Sequence, residues 1–279
     1  LLCLVGSEMC IRDRPVAALD LYNFAKELSF DVISIGKGKN NPFNTFATPN
    51  SLTKEASLKQ MNPKMLTSFV DGTKTMVEMA ALANFLGFNI DIDGMHGIEA
   101  TYENINQFYI PKKDGGLLDE SQVVDFAFGI APGVFAVIYS EDDYVNYEME
   151  YLKMGKGPYW TLARPYHLTS LEIPRTIRHI MLEKYSKLSA QSWNVEVVAH
   201  AKQDIEPGTN LGSIGGDYIY GKAQKTSSSK GLLPIGIAED NVVTKAIAKG
   251  NPIAIDEVDA QDNELCEYWD YQNQILDSD

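Results

Sequence analysis

Several things are scarce in this chain. It has only three cysteines in 279 residues, Cys3, Cys10 and Cys266. Their spacing fits neither a metal site nor a disulfide framework, so a reducing, cytoplasmic setting is expected. Positive charge is also short, with 24 Lys and Arg against 38 Asp and Glu and a formal net charge of −14. No basic stripe is available to neutralise phosphates, which argues against nucleic acid as a partner. No apolar run approaches the roughly 18 residues that span a bilayer, so no membrane partner is expected. The dinucleotide fingerprint G-x-G-x-x-G occurs nowhere. There are no tandem repeats and no low-complexity tracts.

What remains is an ordinary globular composition, 44% hydrophobic and 10% aromatic, long enough for one to three domains. The acidity is partly local. From Asp256 to Asp279 there are nine acids and no Lys or Arg, which reads as an acidic, frayed tail over residues 261–279.

The stretch that organises the chain is Pro63–Gly87, PKMLTSFVDGTKTMVEMAALANFLG. Pro63 suits a first helical turn and Gly87 a C-terminal cap, so one helix of about six turns is predicted. Leu66, Phe69, Val70, Met76, Val77, Met79, Ala80 and Ala83 fill one arc, with Asp71, Lys74 and Glu78 opposite. That charged set is either a solvated face or a proton-shuttling lysine held between two carboxylates.

Before it, Pro15–Leu28 reads as a helix and DVISIG (Asp31–Gly36) as a continuous apolar strand of the kind buried in a parallel sheet. Helix then buried strand is the second half of a βαβ unit. GKGKNN (Gly36–Asn41) follows as a loop at the strand's carboxyl end, where open α/β sheets bind ligands; its Lys37 and Lys39 suit a phosphate or carboxylate. Ser51 is expected to cap a short helix reaching Met61. His96 sits in GMHG (Gly94–Gly97), exposed to whatever approaches that backbone.

VVDFAFG and GVFAVIYS are two strands joined by a Pro132-Gly133 turn, and Glu141–Leu152 is a helix edged by Tyr144, Tyr147 and Tyr151. Tyr151–Pro174 is dense in Gly, Pro and aromatics and is read as an ordered loop. It carries Lys153, Arg164 and His167, and Arg164 suits either a bidentate grip on an anion or a structural ion pair. Thr169 or Ser170 opens a helix through about Tyr185. After a composition shift at Ser186–Trp193 come short strands and turns, a compact β module with no catalytic spacing, whose His200 is structural. Leu1–Arg14 resembles a translated sequencing-adapter scar. It is excluded from fold reasoning, and a protein extending further upstream is expected.

Four blocks in order carry a family resemblance: GKGKNNPFNTFATP, MLTSFVDGTKTMVEMAALAN, YLKMGKGPYWTLARPYHLTSLEIP and LPIGIAED. Residues 15–260 resemble the SAF-domain oxidoreductases, described as homoserine-dehydrogenase-like and including deoxyxylulose-phosphate-reductoisomerase-like enzymes. Asp204–Val258 is similar to an SAF module, a β-clip fold.

The resemblance implies an α/β architecture: an α+β catalytic domain at the end of a Rossmann-type sheet, then a small all-β SAF module. The boundaries expected are a Rossmann remnant at 15–41, a catalytic domain at 42–190 and the β-clip at 191–260. The nucleotide fingerprint should lie upstream of residue 15, so a piece lacking most of its cofactor site is expected.

The implied activity is reduction of a carbonyl on a small phosphorylated or carboxylated substrate by NADPH or NADH, with a prior rearrangement in the reductoisomerase-like members. The alternatives are a homoserine-dehydrogenase-type enzyme and a non-enzymatic, carbohydrate-binding SAF protein.

In the enzymatic reading Lys74 is the proton donor, oriented by Asp71 and Glu78, with His96 as a further catalytic candidate. Lys37, Lys39 and Asn40 anchor the substrate, Arg164 and His167 close the other side, and Gly36 and Gly38 border the cofactor. A divalent metal is uncertain; Asp71 and Glu78 are its likeliest ligands if one is used. A homo-oligomer is the default expectation.

Overall fold

The computed structural model describes residues 14–183, 190–259 and 264–276. The scar (apart from Arg14), half of the composition shift and the ends of the acidic tail lie outside them. The described residues form a mixed α/β fold with seven α-helices and nine strands. The chain divides into two units. The first takes the residues up to Asn40, Val77–Val195 and Ala223–Thr226; the second takes Asn41–Met76, Glu196–Lys222 and Ser227 onward. Residues 41–76, expected inside a contiguous 42–190 segment, therefore group with the C-terminal β module.

The first unit is built on a five-stranded sheet of order β2-β3-β1-β4-β5. Its strands are β1 (Asp31–Lys39), β2 (Ile98–Glu99), β3 (Val123–Phe128), β4 (Val134–Tyr139) and β5 (Tyr159–Arg164). Helix α1 (Arg14–Glu27) leads into β1, whose residues after Asp31 are all buried. β1 runs parallel to β3 but antiparallel to β4. The sheet is therefore mixed: β1 has the parallel neighbour expected of it and an antiparallel one as well.

β1 also runs three residues further than expected. Gly36 to Lys39 are strand, not loop, because the two glycines pack edge-on against their neighbours. A Cβ on Gly36 would collide with the carbonyl oxygen of Asp125, and one on Gly38 with the backbone of Ala131.

β3 and β4 are joined by the expected turn, but β1 lies between them in the sheet; the 129–133 turn ties back to β1, with Gly38 N–H donating to Gly133 O at 2.8 Å. The Tyr151–Pro174 segment, read as loop, contains β5, which pairs antiparallel with β4 and buries Trp160 completely. An edge strand tolerates the glycines and prolines that flank it. α5 (Asp143–Tyr151) is capped by Asp142, whose side chain accepts from the N–H of Tyr144 and Val145. α6 (Ile173–Glu183) follows a 3-10 turn at Thr169–Glu172. One face of the sheet packs Ile33, Ile105, Leu118, Phe135 and Val137 around Tyr109, whose ring stacks on Phe135 at 5.6 Å.

In the second unit, α2 (Thr53–Leu58) and α3 (Pro63–Val70) precede the first turn of α4 (Thr73–Leu86). Ser51 does not cap α2. Leu52 holds that position, and the Ser51 hydroxyl instead donates to Thr48 O at 2.7 Å. The predicted single helix over 63–87 is two helices. Gly72, at φ +89°, breaks it beside the Phe43 ring, and Asp71 Oδ1 accepts from Thr73 N–H at 2.8 Å. A capping carboxylate with a left-handed glycine makes a sharp restart, so Asp71 is a cap and not a mid-helix residue.

The rest of this part is the expected set of short strands. β6 (Val195–Ala201) pairs with β7 (Ile219–Lys225), β8 (Val242–Val243) pairs with β9 (Val258–Asp259), and single bridges such as His200↔Pro252 join the turns between them. His200 is buried and bonds Gly250 O through Nδ1 at 3.1 Å, consistent with its structural reading. The acidic tail is not simply frayed: Glu264–Leu276 form α7.

Candidate active site

The candidate site is the carboxyl end of β1. The register places Lys37 opposite Val134 of β4, and Val134 opposite Arg164 of β5, so Lys37 and Arg164 share one row across three strands. This is the edge at which α/β sheets offer their ligand sites. Lys37 and Lys39 are both buried, and Asn40 emerges into solvent directly after them.

The Lys37 ammonium hydrogen-bonds the carboxylate of Glu78, which α4 supplies to the same unit, and each side chain is 1% exposed. Losing either partner would strand the other away from water. Arg164 forms an ion pair with Glu172 and lies over the Tyr166 ring, 5.0 Å from its centroid. Its guanidinium thus already has a carboxylate, the structural reading left open from sequence. His167 Nδ1 sits 2.6 Å from Pro132 O, in the turn that Gly38 also contacts through Gly133.

His96 belongs to the same unit but to its β2 side. Its Nε2 lies 2.8 Å from Asp91 Oδ2, and the other Asp91 oxygen accepts from Asp119 N–H. The loop that carries it is pinned from below by Asp125 of β3, a residue sequence reasoning passed over. Asp125 is completely buried and accepts from the backbone N–H of His96 at 2.9 Å and of Gly97 at 3.1 Å, and from the Tyr109 hydroxyl at 2.9 Å. Burial raises its pKa, opposed by those backbone donors. Burial, and then the charge of Asp125, push the Tyr109 phenol well above its usual value. The signal in the sequence was a lone acid inside the apolar run VVDFAFG, a pattern that demands buried donors.

Asp71 and Lys74 belong to the other unit. There Asp71 is fully buried, with Lys202 Nζ 2.8 Å away from its Oδ2, and Lys202 also donates to Gly216 O at 2.7 Å. Desolvation lowers the pKa of Lys202, with Asp71 opposing. Lys74 Nζ lies over the Phe69 ring, 4.8 Å from its centroid. The predicted triad on one solvated face thus resolves differently: both its carboxylates are buried, and the lysines that pair with them, Lys202 and Lys37, come from distant parts of the chain.

Asp71 and Glu78, the expected metal ligands, fall in different units and each pairs with a lysine, and among the described residues no three His, Cys, Asp or Glu side chains gather into a metal-binding group. A dinucleotide does not fit at Gly36 and Gly38 either. The space their missing Cβ atoms leave is filled by the backbone of residues 125 and 130–131, not open to a pyrophosphate.

A mixed sheet with a charged pair sunk at the carboxyl end of its central strand is the framework of an α/β enzyme. Residues 13–173 match the family described as oxidoreductase DRL, catalytic domain, and the chain belongs to that family. The match spans β1, Glu78, His96, Asp125 and Arg164. No curated protein sequence matches the chain. Among the described residues no helix is long and apolar enough to cross a membrane.

Proposed function

We propose that the protein reduces the carbonyl of a small phosphorylated or carboxylated substrate at the carboxyl end of β1, with NADPH or NADH as the hydride source. The observation that carries this reading is the buried Lys37–Glu78 pair in one row with Arg164, in a chain whose family is an oxidoreductase catalytic domain. Lys37, in place of Lys74, is then the cation at the reacting carbonyl. Reduction turns a neutral C=O into an alkoxide, and a fixed ammonium beside that oxygen is worth more as the charge develops than before. Glu78 aims the ammonium. Lys39 and Arg164 supply positive charge for the substrate's anionic group, Arg164 by exchanging or sharing Glu172. The nucleotide is held by residues other than Gly36 and Gly38.

The test uses the protein expressed from its complete reading frame. NADPH and NADH oxidation is followed against phosphorylated hydroxy-ketones, keto acids and amino-acid aldehydes. We expect turnover with at least one class, and a loss of about 10²- to 10³-fold in kcat for Lys37→Ala, the usual range for one preorganised oxyanion donor. Lys74→Ala should stay within about threefold of wild type. No oxidation with any class, or full activity in Lys37→Ala, contradicts the proposal.

A further inference from the structure

Between two contacts with β3 the chain leaves the edge of the sheet. Asn89 bridges Val123, and Ile98 of β2 pairs with Ala127, so residues 92–97 bulge out beside Asp125 and Phe126. Phe126 is also the β3 partner of Lys37, and paired residues project on the same face. The tip of the Phe126 ring fills the place where a Cβ on Gly97 would stand. The bulge therefore passes Phe126 on the side away from Lys37, two strand spacings or roughly 10 Å between backbones.

This bulge is fixed at three points. Met95 is buried at φ 64°, a left-handed conformation that a bulky residue holds only where its surroundings impose it. Asp125 accepts from the backbone N–H of His96 and Gly97. Asp91, 2% exposed, meets the His96 ring at Oδ2 and the Asp119 N–H at Oδ1. A carboxylate only accepts, so His96 Nε2 carries the proton of that contact. The other ring nitrogen, Nδ1, bonds no described residue and is open to water, in a side chain 17% exposed. Fastening the loop takes Nε2 alone. An aimed imidazole with one open nitrogen is what proton transfer needs.

We propose that His96 is the proton donor of the carbonyl reduction, with Asp91 as the residue that positions it. This rests on the reduction proposed above and divides its work between two groups. Lys37, paired with Glu78 and 1% exposed, faces the developing alkoxide as a fixed charge. His96 gives the proton, since a donor must be refilled from water after each turnover. The carbonyl carbon takes the hydride of NADPH or NADH, the C=O π pair moves to oxygen, and oxygen takes the Nδ1 proton of the imidazolium. The neutral ring keeps its Nε2 proton on Asp91 and regains the other from water. The carbonyl oxygen then sits over Phe126, between the two groups.

Kinetics and nitrogen NMR on the protein from its complete reading frame test this. His96→Gln is expected to lose about 10²- to 10⁴-fold in kcat, the range of one general acid, with KM within about threefold. Asp91→Asn loses less. Added imidazole restores turnover to His96→Ala, and triazole, alike in size but a far weaker base, does so much less; a merely structural gap would be filled by either. In the protein alone the neutral His96 ring is expected as the Nε2–H tautomer, becoming mixed in Asp91→Ala. Full activity in His96→Gln beside a crippled Lys37→Ala overturns this inference and leaves the reduction standing. An Nδ1–H tautomer, or equal rescue by the two heterocycles, overturns it as well. A wild type that reduces no carbonyl overturns both. Far-UV circular dichroism checks that the variants fold, and the tautomer is read on the wild type.

Discussion

Each unit of this protein buries one lysine against one carboxylate, and the two pairs differ in what surrounds them. In the second unit every part of the Asp71–Lys202 pair is committed locally. Asp71 caps α4 through Thr73, Lys202 also bonds Gly216 O, and the Thr73 hydroxyl accepts from Gly221 N–H at 2.8 Å. The pair fastens the start of a helix to a β module. In the first unit Lys37 lies near the end of a central strand, three residues before Asn40 reaches solvent, and in one row with Arg164. Burial and partner type are the same in both. Position at an open strand end is what separates a site from a fastener.

Breaking one partner at a time should make the two pairs look alike. Lys37→Ala and Lys202→Ala each strand a buried carboxylate, at a cost of about 3–5 kcal/mol. Urea denaturation measures this, and a loss under about 1 kcal/mol at either site would mean that its pair is not the buried contact described.

A smaller effect sharpens the contrast through pH. Lys202 has a folded pKa below its ordinary value of 10.5. Between those two values the unfolded chain holds more protons than the folded one, so this group makes stability rise with pH and the gain is complete above the ordinary lysine value. Measured as the difference between wild type and a Lys202→Met, Asp71→Leu variant, stability should climb through the alkaline range below pH 10.5. A flat difference would contradict the burial of that lysine.

Much of this arrangement is legible in the sequence, unevenly. β1, β3 and β4 are apolar runs that can hardly be anything but buried strands, and α1 and α5 have clear apolar or capping signals. The carboxyl end of DVISIG is where the proposed site lies. The glycines of GKGKNN mislead, because glycine serves a strand that must pass close to its neighbour as readily as it serves a loop. β5 hides among Gly, Pro and aromatics because edge pairing is decided by β4 and not by local propensity.

The partners of Asp71 and Glu78 are the least legible part. A helical wheel places both beside Lys74, but the break at Gly72 ends one helix and starts another, and each carboxylate finds a lysine about 40 or more positions away. Such contacts leave no periodicity to read. Asp125 left a trace, a lone acid in an apolar strand, that tells of buried donors without saying which.

The measurement that tests the central claim most directly replaces each pair by apolar residues of similar size. Removing both charges of a buried pair is often neutral for stability, so chemistry and folding come apart. The account predicts that Lys37→Met with Glu78→Leu folds with near wild-type stability but loses carbonyl reduction by about 10²-fold or more, while Lys202→Met with Asp71→Leu keeps carbonyl reduction within about threefold. Equal activity in the two double variants, or loss confined to the second, would contradict it.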